Sequence, residues 1–340
     1  MAFFLVTGGA GFIGSALVRS LLRFGHSVRV LDNLSTGFKS NLDECLDRIE
    51  LIEGDITDST VCKSAVAGVD YVLHQAAIPS VQQSVDDPMR SNNANVTGTL
   101  NMLVAARDAQ VKRFVFASSS SVYGDTEVLP KVESMREAPL SPYALTKLAG
   151  EKYCIIFHRI YGLPTVCLRY FNVFGPRQNP HSPYSAVISR FVETALTGKK
   201  PVVNGDGEQS RDFTYVENAV DANLRACEAQ GVAGMVFNVG SGERHSLNEL
   251  LRSLSKILMS PLDAMYGSVR VGDVRHSQAD IGSAQQHLGY NPRVGFQEGL
   301  ERTVKWYSSV YGLAVSFSPD ELSDYWVEHM PVAPTAARRH

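Results

Sequence analysis

Three features of the sequence predict an α/β fold with a doubly wound parallel sheet. Short segments rich in β-branched and aromatic residues alternate with segments of helical periodicity through the first half of the chain. A glycine-rich turn joins the first of these strands to the first helix. The later part of the chain is richer in Gly, Pro, Asn and Ser. Strands that alternate with helices need crossover connections, which give parallel sheets covered by helices on both faces.

The strand and helix segments follow each other in a regular order. The clearest helical patterns run from Phe12 to Phe24 and from Arg90 to Ala109. Six segments have the length and composition of buried strands. These are, in chain order, AFFLVTG, SVRVLD, IELIEGD, DYVLHQAA, KRFVFASS and PTVCLRYF.

The alternation ends near Gly175. The segments GPRQNPHSPYS, VVNGDGEQSRDF and VGSGERHS that follow are typical of loops. We therefore expect a dinucleotide-binding domain over residues 1–175, with a return segment at about 214–240. A smaller α/β C-terminal domain, for the substrate, is expected over 176–213 and 241–330, followed by a disordered tail over 331–340.

Composition limits the classes of function. Of the 340 residues, 44% are apolar and 20% are charged, which is typical of a globular protein. The net charge of −3 argues against a nucleic-acid partner. The five cysteines are scattered without CxxC spacing, which favours reduced thiols in the cytoplasm over disulfides or a metal site. The N-terminal apolar run passes directly into glycines, so we expect a strand there and no membrane partner.

The glycine-rich turn TGGAGFIG predicts a dinucleotide site of the Rossmann type. Gly8, Gly11 and Gly14 stand three residues apart, and Phe12 and Ile13 open the helix. Glycines permit a tight turn and a close approach of the backbone to a pyrophosphate, which then binds helix N–H groups.

An acidic residue at the end of the second strand predicts which cofactor binds. Asp32 lies 21 residues after Gly11, where a carboxylate binds the hydroxyls of the adenosine ribose. Its charge would repel a 2′-phosphate, and Asn33 supplies no compensating cation. The sequence therefore favours NAD over NADP.

The ends of two more strands are expected to lie beside the same dinucleotide site. Asp55 and Ile56, in GDI, would meet the adenine ring, although Asp55 alone is equally well explained as a turn residue. The HQAA segment would bring Gln75 and the small residues Ala76 and Ala77 close to the cofactor.

A tyrosine and a lysine form a possible catalytic pair. In SPYALTKLAGEKY, a Ser-Pro helix start places Tyr143 and Lys147 four residues apart on one helix face. A neighbouring ammonium lowers the pKa of a phenol, which makes a phenolate base accessible near neutral pH. Ser119 precedes Tyr143 by 24 residues, at the end of the fifth predicted strand.

The combined motifs resemble the extended short-chain dehydrogenase/reductase family, specifically its NAD-dependent UDP-sugar 4-epimerases. The resemblance covers about residues 3–310 and rests on TGGAGFIG, GDI, HQAA, SSSSVYG, YALTK and LRYFNVFGPRQ. The segments NVFGPRQNPHSPYSAVI, NGDGEQSRDF and GDVRHSQAD are most similar to bacterial UDP-N-acetylglucosamine 4-epimerases that supply sugars for polysaccharide biosynthesis.

The resemblance implies roles for the serine block. Ser119, Tyr143 and Lys147 would be catalytic, with Ser120 as a helper, and Ser121 would be structural. Ser118 would contact the cofactor, as would Tyr143 and Lys147 themselves and Tyr170. Relatives that dehydrate or decarboxylate nucleotide sugars carry an acidic residue in this block, and a hydroxyl is a poor acid for expelling water. The serines therefore favour oxidation and re-reduction at one carbon, with NAD staying bound.

The resemblance also implies the substrate contacts. Asn172, Arg211 and Arg270 would bind the diphosphate, and Asp273 the uridine ribose. Ser277 stands where relatives restricted to plain hexoses carry a large aromatic residue, so N-acetylated sugars are expected to fit. Other walls of the sugar pocket would be Pro79, Ser80, Gln178 and Ala186, and Pro79 departs from the glycine of similar relatives.

Several alternatives remain open at this point. The substrate is expected to be UDP-N-acetylglucosamine, with UDP-glucose and UDP-galactose as further candidates. Alternatives are UDP-N-acetylglucosaminuronate, UDP-glucuronate, a net sugar reductase that exchanges its cofactor, and a non-catalytic NAD-sensing regulator. By analogy with relatives, a homodimer would form through helices near Asn92–Ala109 and Tyr143–Ile160.

Overall fold

A seven-stranded parallel sheet forms the centre of the protein. The computed structural model describes residues 1–180, 186–268 and 274–313. Across the sheet the strand order is β3, β2, β1, β4, β5, β6, β11. The strands are β1 (Phe3–Thr7), β2 (Ser27–Asp32), β3 (Glu50–Glu53), β4 (Tyr71–His74), β5 (Arg113–Ser119), β6 (Thr165–Tyr170), β7 (Val173–Phe174), β8 (Val202–Asn204), β9 (Ser210–Arg211), β10 (Thr214–Tyr215), β11 (Met235–Val239), β12 (His245–Ser246) and β13 (Met265–Gly267). The predicted doubly wound class is confirmed, and each of the six predicted segments contains a strand.

The helices cover both faces of the sheet and build a second lobe. They are α1 (Phe12–Arg23), α2 (Ser59–Val66), α3 (Val81–Asp86), α4 (Pro88–Asn92), α5 (Gly98–Asp108), α6 (Pro142–Tyr161), α7 (Val187–Leu196), α8 (Val216–Glu228), α9 (Leu247–Ile257), α10 (Gly282–Leu288) and α11 (Phe296–Val310). Short 3₁₀ segments lie at Lys39–Arg48 and Ser120–Tyr123.

Alternate side chains along each strand belong to two apolar layers, one on each face of the sheet. In β5, Val115 and Ala117 pack in the layer that contains α1 and α8, whereas Phe114 and Phe116 pack in the layer that contains α5 and α6. Successive side chains of a strand point to opposite faces, so a sheet covered on both sides needs apolar residues at every position. This explains the uninterrupted apolar run that the sequence has before the serines.

A third apolar cluster lies outside the sheet. It joins α7, α9 and α11 around Phe174, Phe213 and Phe296. The parallel pair β7–β10 connects this cluster to the end of β6. We propose, as the sequence predicts, that it belongs to a separate substrate domain.

The helical stretch that the sequence predicts from Arg90 to Ala109 is not a regular α-helix. A π-helical turn at Asn93–Thr97 separates α4 from α5. In this turn Asn95 Oδ1 accepts the Ile78 N–H at 2.8 Å, and Asn95 Nδ2 donates to Thr146 Oγ1 at 3.0 Å. The turn therefore gives a buried amide the partners that it needs.

The cysteines, the helix lengths and the metal-ligating residue types complete the description of the fold. All five cysteines are buried and unpaired. No helix in the described ranges is long and apolar enough to cross a membrane. Within the same ranges, His, Cys, Asp and Glu form no cluster suited to a metal ion.

Candidate active site

A large cavity opens at the carboxyl ends of the central strands. Its volume is about 1170 Å³, and residues after β1, β2, β4 and β5 line it. The sheet order reverses between β1 and β4, and such a switch point is where open α/β sheets bind their ligands. The cavity brings together every predicted site residue within the described ranges. Arg270 and Asp273 lie outside the described residues.

The glycine turn forms a cradle that no larger residue would fit. Gly8 has φ of +67°, and a Cβ there would lie 2.8 Å from the backbone of Ala76. Helix α1 begins after Gly11, and no side chain of the described residues caps it. The free N–H groups of its first turn therefore face the cavity beside Phe12 and Ile13, which suits a pyrophosphate.

Asp32 is fixed by backbone hydrogen bonds at the same end of the cavity. Its Oδ2 accepts the Ala10 N–H at 2.9 Å, and its Oδ1 accepts the Leu34 N–H at 2.8 Å. Burial raises the pKa of Asp32, and these two hydrogen bonds partly offset that effect. No described cation contributes to the shift, so the surroundings of the carboxylate fit a ribose better than a 2′-phosphate.

The neighbouring Asp55 is held by Asn33. The amide Nδ2 of Asn33 donates to Asp55 Oδ2 at 2.7 Å. Burial alone would raise the pKa of Asp55, but hydrogen bonds from Thr57 and Asn33 outweigh it and hold the pKa below its usual value. Asp55 and Ile56 both line the cavity, as the cofactor prediction requires.

Gln75 and Tyr170 belong to one polar network. The Tyr170 hydroxyl donates to Gln75 Oε1 at 3.2 Å and accepts from Asn223 Nδ2 at 2.7 Å. Burial raises the pKa of Tyr170 to about 12, so this hydroxyl stays neutral. Ala76 and Ala77 line the cavity next to this network.

Ser119 and Tyr143 interact through their side chains. The Ser119 Oγ accepts the backbone N–H of Ser121 at 3.2 Å, which leaves its own proton for Tyr143. Burial raises the pKa of Tyr143, and the hydrogen bond from Ser119 lowers it. The hydroxyl of Ser119 therefore stabilises the phenolate form of Tyr143.

Lys147 does not act on Tyr143 as the sequence predicts. Its Nζ lies 5.9 Å from the centre of the Tyr143 ring and donates to the Ala117 carbonyl at 2.8 Å. Burial lowers the pKa of Lys147 to about 8. The pKa of Tyr143 is therefore raised in the protein alone and not lowered as expected, because burial outweighs the hydrogen bond from Ser119.

The other three serines differ in their partners. Ser118 donates to Glu151 Oε1 at 2.5 Å, so its proton is used inside the protein. Ser120 lines the cavity. The buried Oγ of Ser121 has no hydrogen-bond partner among the described residues, so no hydroxyl contact there supports the structural role expected for Ser121.

The proposed sugar end of the cavity is lined by small and polar residues. Ser277 is 9% exposed and its N–H donates to the Ser210 carbonyl at 3.0 Å. The Ser80 Oγ accepts the Gln83 N–H at 3.1 Å, so Ser80 caps α3 while lining the cavity. Pro79, Gln178 and Ala186 complete this part of the lining.

A second cavity of about 210 Å³ shares its lining with the first. Asn172, Ala186 and Arg211 border both. The smaller cavity is walled by Phe174 and Phe213. Arg211 therefore stands at the junction of two spaces, where a phosphate group would be within reach of a cation.

Three residues that the sequence prediction missed also organise the cavity. Asp212 is fully buried and its carboxylate accepts the N–H groups of Ser241 at 2.7 Å and Ala279 at 3.1 Å, which joins β9 to the segment after Ser277. Lys131 is only 2% exposed and lines the cavity, where its ammonium donates to the Thr126 carbonyl. Glu151 is the third. The sequence does not show whether a charged residue is buried, so it gave no signal for Asp212 or Lys131. Glu151 did have a signal, because it follows Lys147 by the same four residues that separate Lys147 from Tyr143.

The fold and the site define a Rossmann-type protein in which a glycine cradle for a dinucleotide lies beside a buried tyrosine and an adjoining cavity. The chain belongs to the NAD dependent epimerase/dehydratase family, whose profile matches residues 4–240. The predicted resemblance to NAD-dependent UDP-sugar 4-epimerases of the extended short-chain dehydrogenase/reductase type is thereby confirmed, and NAD is the cofactor.

Three relatives illustrate the similarity. The UDP-glucose 4-epimerase of Mycolicibacterium smegmatis is 40% identical over 307 residues, which is 89% of this chain and 97% of that protein. The structure of a UDP-N-acetylglucosamine 4-epimerase from Methanobrevibacter ruminantium, in complex with UDP-N-acetylmuramic acid, has a TM-score of 0.87 at 41% identity and covers 91% of this chain and 99% of its own. A UDP-glucuronic acid 4-epimerase from Bacillus cereus, solved with NAD, has a TM-score of 0.85 at 33% identity and covers 91% of this chain and all of its own (100%).

Proposed function

We propose that this NAD-dependent UDP-sugar 4-epimerase interconverts UDP-N-acetylglucosamine and UDP-N-acetylgalactosamine. The observation that carries the proposal is the Ser119–Tyr143 contact in a cavity that also contains Ser277. The first two residues supply an acid–base group, and the small third residue leaves room for a 2-acetamido group.

Tyr143 is the proposed base. As phenolate it takes the proton of the sugar 4-hydroxyl, and Ser119 donates a hydrogen bond to the phenolate oxygen. The 4-keto sugar turns within the cavity and presents its other face, and Tyr143 returns the proton to O4 during reduction. When bound, NAD would supply a reversible hydride acceptor for C4, and the positive charge of its oxidised ring would favour the phenolate form of Tyr143.

The glycine cradle, Asp32 and Lys147 would hold that cofactor. The N–H groups at the start of α1 bind the pyrophosphate, and the Asp32 carboxylate binds the adenosine ribose. Lys147, whose pKa of about 8 keeps it mostly charged at pH 7, donates to the other ribose. No net oxidation occurs in the cycle, so the cofactor need not leave.

The intermediate has to rotate without escaping. Arg211 and Asn172, at the junction of the two cavities, are proposed to bind the diphosphate. The smaller cavity, with its aromatic walls, is proposed to hold the uracil ring. A firm grip on the nucleotide leaves the sugar free to turn in the larger cavity.

A second candidate substrate is UDP-N-acetylglucosaminuronate, and Lys131 is the observation that favours it. A buried cation usually has an anionic partner, and no carboxylate in the described ranges forms an ion pair with Lys131. In a UDP-hexosamine the primary carbon C6 is the one that can carry a carboxylate. Lys131 lines the same cavity as Ser120 and Ser277, where such a group would be neutralised.

Proton NMR of the purified protein, with no added cofactor, tests the proposal. UDP-N-acetylglucosamine, UDP-glucose, UDP-N-acetylglucosaminuronate and UDP-glucuronate are incubated separately. Galacto-configured product chiefly from UDP-N-acetylglucosamine is the expected result. Preference for an acidic sugar would change the proposed substrate but not the proposed reaction. Bound NAD without turnover of any sugar would favour the non-catalytic NAD-sensing regulator.

We also propose a cytoplasmic homodimer that serves polysaccharide biosynthesis. Helix α6 exposes Leu145, Ile156 and Ile160, and α3 and α4 expose Val85 and Met89. Exposed apolar side chains on packed neighbouring helices favour association with a second copy. Light scattering of the purified protein measures its mass directly.

A further inference from the structure

Helix α6 touches the end of β5 at three successive points. Tyr143, Lys147 and Glu151 are spaced by four residues and lie on one side of the helix. Tyr143 bonds to Ser119, as described above. Lys147 Nζ donates to the Ala117 carbonyl at 2.8 Å. The third point is the bond from Ser118 to Glu151, so three consecutive strand residues are each attached to the helix.

The carboxylate of Glu151 has a fixed orientation. Glu151 is 0% exposed, and Arg169 of β6 is 1% exposed. Arg169 Nε donates to Oε1 at 2.9 Å, and its terminal Nη2 donates to Oε2 at 2.8 Å. This two-point geometry leaves the carboxylate little freedom, since each of its oxygens has a charged partner. Ser118 is therefore attached to a rigid acceptor.

We propose that Glu151 is a positioning residue for the reaction, because it holds Ser118 and thereby keeps the Ser119 hydroxyl at Tyr143. The proposal rests on the function proposed above, in which those two side chains move the proton. A displacement of about 1 Å at a reacting group costs on the order of 100-fold in rate. Ser118 and Ser119 are adjacent in the chain, so a shift of one is transmitted to the other.

The test removes the bond without disturbing the ion pair. Ser118→Ala deletes the hydroxyl and leaves Glu151 and Arg169 together. Thr165→Val is the matched control, because Thr165 Oγ1 is also buried and donates to the Cys154 carbonyl of α6 at 2.8 Å, away from the catalytic strand end. Each variant loses one buried hydrogen bond, worth about 1.5–3 kcal/mol of stability for Ser118, whose acceptor is charged, and about 0.5–1.5 kcal/mol for Thr165, whose acceptor is neutral.

We expect Ser118→Ala to lower kcat at least ~10-fold, with KM and bound NAD unchanged, while Thr165→Val retains kcat. Equal kcat in the two variants would overturn the proposal. Loss of NAD from Ser118→Ala would also overturn it, since the serine would then be a cofactor contact. In a double-mutant cycle, adding Glu151→Gln to Ser118→Ala should cause no further loss of kcat. If the losses of kcat in the two single variants multiply in the double variant, Glu151 does not act through Ser118.

A readout independent of turnover separates this proposal from the proposed function. The tyrosinate absorbance of each variant is titrated against pH, and the titration of its Tyr143→Phe derivative is subtracted. Because the bond from Ser119 lowers the pKa of Tyr143, Ser118→Ala should raise that pKa and Thr165→Val should not. An unchanged pKa in Ser118→Ala refutes the positioning role, even if the wild-type protein turns over no UDP-sugar.

Discussion

Gly14 offers a strict test of the cofactor cradle. A Cβ at Gly14 would lie 2.8 Å from both the Gly8 carbonyl carbon and the Gly9 Cα, and closer still to the Gly8 carbonyl oxygen. Carbon atoms are best separated by at least ~3.5 Å, so the turn has to open by at least about 0.7 Å, and by more at the carbonyl oxygen. Backbone atoms cannot rotate away as a side chain does. Gly14→Ala is therefore expected to displace the N–H groups that are proposed to bind the pyrophosphate.

The expected cost follows from this overlap. Overpacking of this kind costs about 1–3 kcal/mol, and the better helix propensity of Ala returns up to ~1 kcal/mol. If the whole overpacking cost of 1–3 kcal/mol is lost from the binding free energy of NAD, NAD binds roughly 5- to 150-fold more weakly. We expect purified Gly14→Ala to carry much less NAD than the wild-type protein.

The assay is the molar ratio of NAD released on denaturation, measured beside thermal unfolding. Gly295→Ala is the control, because Gly295 lies at the start of α11, much as Gly14 lies in the first turn of α1, and a Cβ at Gly295 meets no atom within 4 Å. Wild-type NAD content in Gly14→Ala would refute the assignment of the cradle. A loss of NAD in both variants would show that the effect is not specific to the turn.

Four further predictions concern catalysis, specificity and assembly. Tyr143→Phe should keep NAD and lose about 100- to 10,000-fold in kcat; retention of more than about a tenth of the rate would exclude a base role of this size. Ser277→Tyr should lower kcat/KM for UDP-N-acetylglucosamine at least ~10-fold more than for UDP-glucose, and equal losses would contradict the pocket argument. NAD rebinding to the apo-protein should weaken above about pH 8, since Lys147 is charged below its pKa and neutral above it; a titration of Lys147→Met should lack this dependence. Ile156→Asp should convert the proposed dimer to a monomer in light scattering, and an unchanged mass would place the interface elsewhere.

The parts that the sequence predicts best are those that depend on local spacing. The glycine turn and the Tyr143–Lys147 pair each lie within a few residues, and a strand or a helix fixes their geometry. The alternating strands and helices likewise predict the parallel sheet, because crossover connections leave few alternatives.

The remaining features depend on contacts between distant segments. Glu151 and Arg169 pair across 18 residues, and Ser118 reaches Glu151 across 33. The pKa of Tyr143 is raised by burial, which no spacing reveals. The π-helical turn arises because Asn95 bonds to Ile78 and Thr146, both far along the chain.

The end of β6 divides the site in an unexpected way. The residues proposed to hold NAD all lie at or before Tyr170, whereas Asn172, Arg211 and Ser277 follow it. Hydride chemistry and most of the substrate recognition are thus encoded in consecutive stretches of the gene. Exchange of the later stretch, apart from α8 and β11, which belong to the sheet and its cover, would replace most of the proposed sugar contacts and keep every residue proposed to hold NAD.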